Sequence, residues 1–80
     1  MVVVKIKRVY EDGTILFIHP KRKIVYLFDG DTFKNTYKIE GTLNGKALYE
    51  TLLKKPCKCG FKDYLQSVDI SEKVKALVEG

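Results

Sequence analysis

Four runs of β-branched and aromatic residues, cut at nearly even spacing by turn-forming residues, fill the first half of the chain and constrain what it can fold into. Val2 to Tyr10 is the first run, and Glu11-Asp12-Gly13 follows it with a glycine free to take positive φ. Thr14 to His19 is the second, with Ile15, Leu16, Phe17 and Ile18 apolar on both parities, the pattern of a central strand covered on both faces. His19-Pro20-Lys21-Arg22-Lys23 connects it to Ile24–Phe28, and Asp29-Gly30-Asp31 turns the chain again. From Thr32 to Glu40 the alternation is regular, placing Phe33, Tyr37 and Ile39 on one face and Thr32, Lys34, Thr36, Lys38 and Glu40 on the other.

Beyond residue 41 the period changes. Asn44 is suited to cap a helix, and Leu43, Ala47, Leu48, Thr51, Leu52 and Lys55 recur at helical spacing until Pro56, which predicts a helix over 45–55. Asp69-Ile70-Ser71-Glu72 has the form of a capping box, and Val74, Leu77 and Val78 form an apolar stripe, which predicts a second helix over 71–79. Phe61, Tyr64, Leu65 and Val68 are also helically spaced, so a short helix is favoured there over an edge strand at 67–70. The expected fold class is therefore α+β: an antiparallel sheet of about four strands over residues 2–40, then two or three short helices packed on one face. No linker divides residues 1–80, so one compact domain is expected.

A domain of this size buries only about 60–65% of the surface its unfolded chain exposes, so its stability must come from good packing or from help such as a disulfide, a metal or oligomerisation. The residues for nucleophilic catalysis are few: Ser67, Ser71, His19, Cys57 and Cys59. Two segments approach known motifs and depart from them. Ile24 to Thr32 resembles the apolar strand and Asp-x-Asp start of the haloacid-dehalogenase phosphatases, but its threonine falls one place early and the chain is too short for that fold. Gly41-Thr42-Leu43-Asn44-Gly45-Lys46-Ala47 resembles a phosphate-binding P-loop, but it is one residue short, and Ala47 stands where a magnesium-ligating hydroxyl is needed. The expectation is a binding protein without enzymatic activity of its own.

Cys57-Lys58-Cys59 is the most distinctive local feature. Two thiolates can share a soft cation, but a tetrahedral site needs four ligands and this spacing is tighter than that of zinc knuckles. No cofactor is expected from one chain; the alternative is zinc held by Cys57 and Cys59 of two chains at a dimer interface. A labile disulfide between the two, or simple packing, are the other readings.

The net charge is +5, and all but two of the fifteen cations are lysine, the exceptions being Arg8 and Arg22. Such a balance points to a polyanion, although Lys and Glu enrichment is also a habit of thermophile proteins. Lys5, Lys7 and Arg8 lie on the first strand, Lys21, Arg22 and Lys23 cluster in the second connection, and Lys34 and Lys38 share a face of the fourth. The leading reading is a small basic module that contacts DNA or RNA through backbone charge at these eight residues. The alternative is a protein-interaction or regulatory module, monomeric or homodimeric, in which an uncovered apolar face meets a partner. Charged residues interrupt every apolar run well before the ~20 residues a membrane span needs, and Val2-Val3-Val4 meets Lys5 too soon for a signal peptide, so a cytoplasmic location is expected.

Overall fold

The computed structural model describes residues 3–41, 44–57 and 60–74. The strands are β1 (Val3–Val4), β2 (Ile6–Tyr10), β3 (Thr14–His19), β4 (Ile24–Asp29) and β5 (Thr32–Lys38), followed by helix α1 (Gly45–Leu53) and strands β6 (Phe61–Tyr64) and β7 (Val68–Asp69). Five of them form an antiparallel sheet in the order β5-β4-β3-β2-β6, while β1 and β7 pair separately.

This corrects the expected fold class. The sheet has five strands where about four were expected, and among the described residues it is accompanied by one short helix, not two or three. The segment favoured as a helix at 61–68 is instead β6 and β7. Its helical spacing lost to tertiary pairing: β6 lies along β2 with Lys7 opposite Tyr64 and Tyr10 opposite Phe61. In place of the start of the second helix, Ser71 to Val74 form turns over the Asp69 side chain, which accepts from Ser71 N at 2.9 Å and from Ser71 Oγ at 2.6 Å. The rest of that expected helix lies outside the described residues.

Strand β3 organises the core. Leu16 and Ile18 point towards α1 and are fully buried with Tyr10, Val25, Leu27, Ile39, Leu48 and Tyr49. Phe17 points the other way, into a second cluster with Val4, Phe28, Ile70 and Val74. Its ring meets Phe28 edge-on, with centroids 5.0 Å apart. Burial of this kind stabilises by roughly 1.5–3 kcal/mol for each large apolar side chain.

Two local irregularities feed the second cluster. Lys5 N donates to Ile18 O at 3.3 Å although Ile6 is the register partner of Ile18, so two residues oppose one and the strand bends. The shift turns Val4 to the side of Phe17, away from Ile6. A second register shift opposite Leu27 and Phe28 sets Phe33 against Phe28, whereas Asn35 and Tyr37 pair with Leu27 and Val25. Phe33 is therefore on the face opposite Tyr37 and Ile39, contrary to the simple alternation of the strand. The β4–β5 turn depends on Gly30 at φ 60°, a conformation that costs other residues steric strain.

Helix α1 begins as its sequence demands. The Asn44 side chain accepts from Lys46 N at 2.9 Å and Ala47 N at 3.2 Å. Tyr10 OH donates to Gly45 O at 2.7 Å, and the Phe61 ring lies where a Cβ on Gly45 would stand, so the first turn sits directly on the sheet. The helix stops at Leu53, with Lys54 left-handed at φ 55°, two residues before Pro56.

Phe17→Ala is expected to lower unfolding stability by about 3–5 kcal/mol, because it empties the centre of the second cluster. Urea denaturation measures this, and a loss below about 1 kcal/mol would show that the second cluster is not a packed core.

Candidate nucleic-acid interface

The two faces of the sheet treat their cations differently. On the helix side Arg8 is buried, and its Nε and Nη2 donate to the two carboxylate oxygens of Asp63 at 2.7 Å and 2.9 Å, a bidentate bridge from β2 to the edge strand β6. The guanidinium also lies 4.9 Å from the Phe61 ring centroid. The hydrogen bonds to Asp63 raise the pKa of Arg8 against the opposing effect of burial, so its charge is permanent and its partner fixed. Beside it, burial pushes the Tyr10 phenol up, while Arg8 pulls it back.

On the opposite face the cations stand over rings. Lys7 Nζ is 6.0 Å from the Phe17 centroid, Lys73 Nζ is 5.6 Å from Phe17 and 6.0 Å from Phe28, and Lys62 Nζ is 5.2 Å from Tyr64. Lys7 and Tyr64 are direct cross-strand partners, and Lys62 pairs with Val9, so these side chains share one face of the β2–β6 ladder. Phe17 and Phe28 are buried and offer no face to a base. Tyr64 is 40% exposed, and Tyr26 on β4 is half-buried.

The eight cations expected as a binding footprint are thus divided. Lys7 belongs to the cation-and-ring face, and Lys5 is exposed at the bulge beside it. Arg8 is on the other face, within the ion pair. Lys21, Arg22 and Lys23 are exposed at one end of the sheet, in the β3–β4 connection, where Arg22 N donates to His19 Nδ1 at 3.4 Å. Lys38 pairs with Ile24 at the far end of β5, and β5 is about 14 Å from β2 at ~4.8 Å per strand. Lys34, next to the register shift, lines a hollow on the helix side instead of sharing the face of Lys38. Sequence reasoning missed Lys62, Lys73 and Tyr64. The signal for the first and last was present, since residues two apart share a face in a strand, but only once 61–64 is known to be a strand.

The hollow beside the end of α1 measures about 850 Å³ and has Leu27, Leu52 and Leu53 among its apolar lining, with Lys34, Asp12 and Lys55 among its charged residues. Tyr49 OH donates to Asp12 Oδ2 across it. Burial disfavours the charged form of Asp12, but hydrogen bonds from Tyr49 and Thr14 outweigh it and hold the carboxyl below 3.8. The same bond, helped by burial, pushes the Tyr49 phenol up to about 12. Cys57 is half-buried against the helix-side core. Among the described residues no three His, Cys, Asp or Glu side chains gather as a metal site would require, and Cys59 lies outside them. Among the described residues, too, no helix is long and apolar enough to cross a membrane.

Two outcomes follow from these side-chain bonds. Asp63→Ala is expected to cost about 2–3 kcal/mol, because it leaves a buried guanidinium without its anion. The Arg8→Met/Asp63→Ala double variant should be more stable than Asp63→Ala alone in the same urea titration, and additive losses would contradict the pairing. Tyr49→Phe is expected to be less stable than the parent at neutral pH. A phenol whose folded pKa lies above its ordinary value of 10.0 stabilises fully below that pH and loses its contribution as pH rises through about 12. The stability gap should therefore narrow only above pH 10, and a gap unchanged across that range would exclude the bond.

Compared with protein-family models, with curated proteins and with solved structures, the chain has no match.

Proposed function

We propose that this protein is a small nucleic-acid-binding module that grips backbone phosphates through the sheet face opposite α1. One observation carries the reading: Lys7, Lys62 and Lys73 project from that face beside aromatic rings, with Tyr64 exposed among them. Phosphate oxygens are attracted to such ammonium groups, and each contact releases condensed counterions, the main source of affinity in backbone-directed binding. A partly exposed ring between cations offers a stacking surface to an unpaired base, which a duplex does not present. The net charge of +5 adds a longer-range attraction of the same sign.

The proposed footprint is centred on this face and not on Lys21, Arg22 and Lys23. Those three are exposed in the β3–β4 connection, whereas the sheet-face lysines stand beside rings, held on paired strands and on the turn after β7. Arg8 supports the site from behind by attaching β6, the strand that carries Lys62 and Tyr64.

The test is binding to labelled single-stranded and double-stranded DNA and RNA at two salt concentrations. The triple change Lys7→Gln/Lys62→Gln/Lys73→Gln should weaken single-strand binding by at least about tenfold and reduce the salt slope by about 2, at ~0.7 for each phosphate that is no longer neutralised. The matched change Lys21→Gln/Arg22→Gln/Lys23→Gln should have the smaller effect. Absence of binding at low salt, or a larger loss from the connection than from the sheet face, would overturn the proposal.

A further inference from the structure

Phe61, Tyr64 and Leu65 are the exposed large hydrophobic side chains among the described residues, and all three belong to β6 or follow it directly, Leu65 being 82% exposed. Strand β6 is also an edge: β2 pairs with one side of it, and no described strand pairs with the other. An edge with unpaired backbone groups and apolar side chains is a template for another strand unless charge or a bulge blocks it. We infer that this edge is the interface of a homodimer, in which β6 pairs antiparallel with β6 of a second copy and the two sheets become one.

The backbone sets the possible registers. Glu11 N donates to Gly60 O at 2.9 Å, so in the alternation of an antiparallel ladder Gly60, Lys62 and Tyr64 direct their N–H and C=O groups towards β2. Phe61, Asp63 and, with the strand continued one residue, Leu65 direct theirs outward. A two-fold axis perpendicular to the sheet and centred on Asp63 sets Phe61 opposite Leu65 of the partner, Asp63 opposite the partner's Asp63, and Lys62 opposite the partner's Tyr64. All three outward residues then exchange backbone hydrogen bonds. The closer, non-hydrogen-bonded positions place an ammonium beside a ring, and the exposed leucine gains an aromatic neighbour. Moving the axis to Lys62 would set two lysines face to face and leave Leu65 without a β6 partner, so the sequence selects the first register.

The apparent obstacle is the pair of carboxylates on the axis. Each is already held by two nitrogens of its own Arg8, so the row across the interface reads positive, negative, negative, positive, and the guanidinium behind each carboxylate offsets the repulsion between the two. What fits a second copy to this edge is the self-complementary order of Phe61, Lys62, Tyr64 and Leu65 about the axis. Two-fold pairing would also join two cation-and-ring faces into one continuous surface, although the dimer itself requires no nucleic acid.

An edge this short buries less than a standard interface, and a dimer that dissociates between micromolar and millimolar concentration is expected. Sedimentation equilibrium of the nucleic-acid-free protein across that range should show the transition. The Leu65→Lys variant, altered at a side chain that is 82% exposed and so leaves the fold intact, should weaken association by at least about tenfold. Amide hydrogen exchange at Phe61, Asp63 and Leu65 should be slow in concentrated protein and fast in dilute protein, while Lys62 and Tyr64, bonded to β2, should not respond. A protein that stays monomeric to millimolar concentration overturns the inference. So does a dimer indifferent to Leu65→Lys, or one whose concentration-dependent protection falls on other strands. Each result is independent of oligonucleotide binding, so this dimer and the nucleic-acid reading stand or fall separately.

Discussion

A guanidinium buried on the helix side of β2 needs an anion, and among the described residues Asp63 supplies one. An unpaired buried charge costs several kcal/mol, comparable with much of the margin by which a small domain is folded. The pairing therefore does more than add one favourable contact. It selects the side of the sheet on which the chain after α1 must return, and with Tyr10 and Phe61 it sets the start of the helix over the sheet. Once Asp63 faces Arg8, the two-residue period of a strand obliges Lys62 and Tyr64 to face the other way.

That dependence explains which parts of the fold were legible in the sequence. The four early runs and their turns could be read because each is specified locally: apolar residues of both parities in β3, a glycine for φ 60° at residue 30, an asparagine cap for α1. Phe61 to Val68 could not be read in that way. Its four large apolar residues are spaced as well for a helix as for anything else, and the outcome was decided by a partner more than fifty positions away in sequence. The exchange of Phe33 and Tyr37 between faces has a different origin. Alternation assumes a regular ladder, and one register shift reverses it for everything on one side. The bulge at Lys5 does the same to Val4. In both places the irregularity sends an apolar side chain into the second cluster, which a strictly alternating sheet would have left with less covering.

The candidate site was legible only as a total. Composition gives a surplus of positive charge, but not which cations are engaged inside the protein. Lys7 and Arg8 are neighbours in sequence and indistinguishable there as ligands for phosphate, yet parity sends one to an accessible face and the other to a buried carboxylate. Lys34 and Lys38 look equivalent for the same reason and are separated by the register shift. Lys62 and Lys73 escape notice because they belong to segments whose apolar spacing reads as helix. A basic surface is thus a property of strand parity and register before it is one of net charge.

Strand β6 shows how little chain is needed to meet three demands at once, because a strand addresses three directions. One set of side chains, Phe61 and Asp63, points to the helix side and attaches the strand. The other, Lys62 and Tyr64, points to the cation face. The backbone groups between them lie in the plane of the sheet and face the open edge. These directions are orthogonal, so the demands do not compete for the same atoms, and substitutions along the strand are not equivalent. A change at Asp63 disturbs attachment and, through it, everything the strand displays. A change at Tyr64 would alter both the proposed stacking surface and the proposed cross-strand pair at the edge. Leu65 lies beyond the ladder with β2 and touches the edge alone, and Lys7, one strand inward, touches the face alone. Reading function from variants of this protein requires that geometry, because loss of the same activity arises by separate physical routes at positions two residues apart.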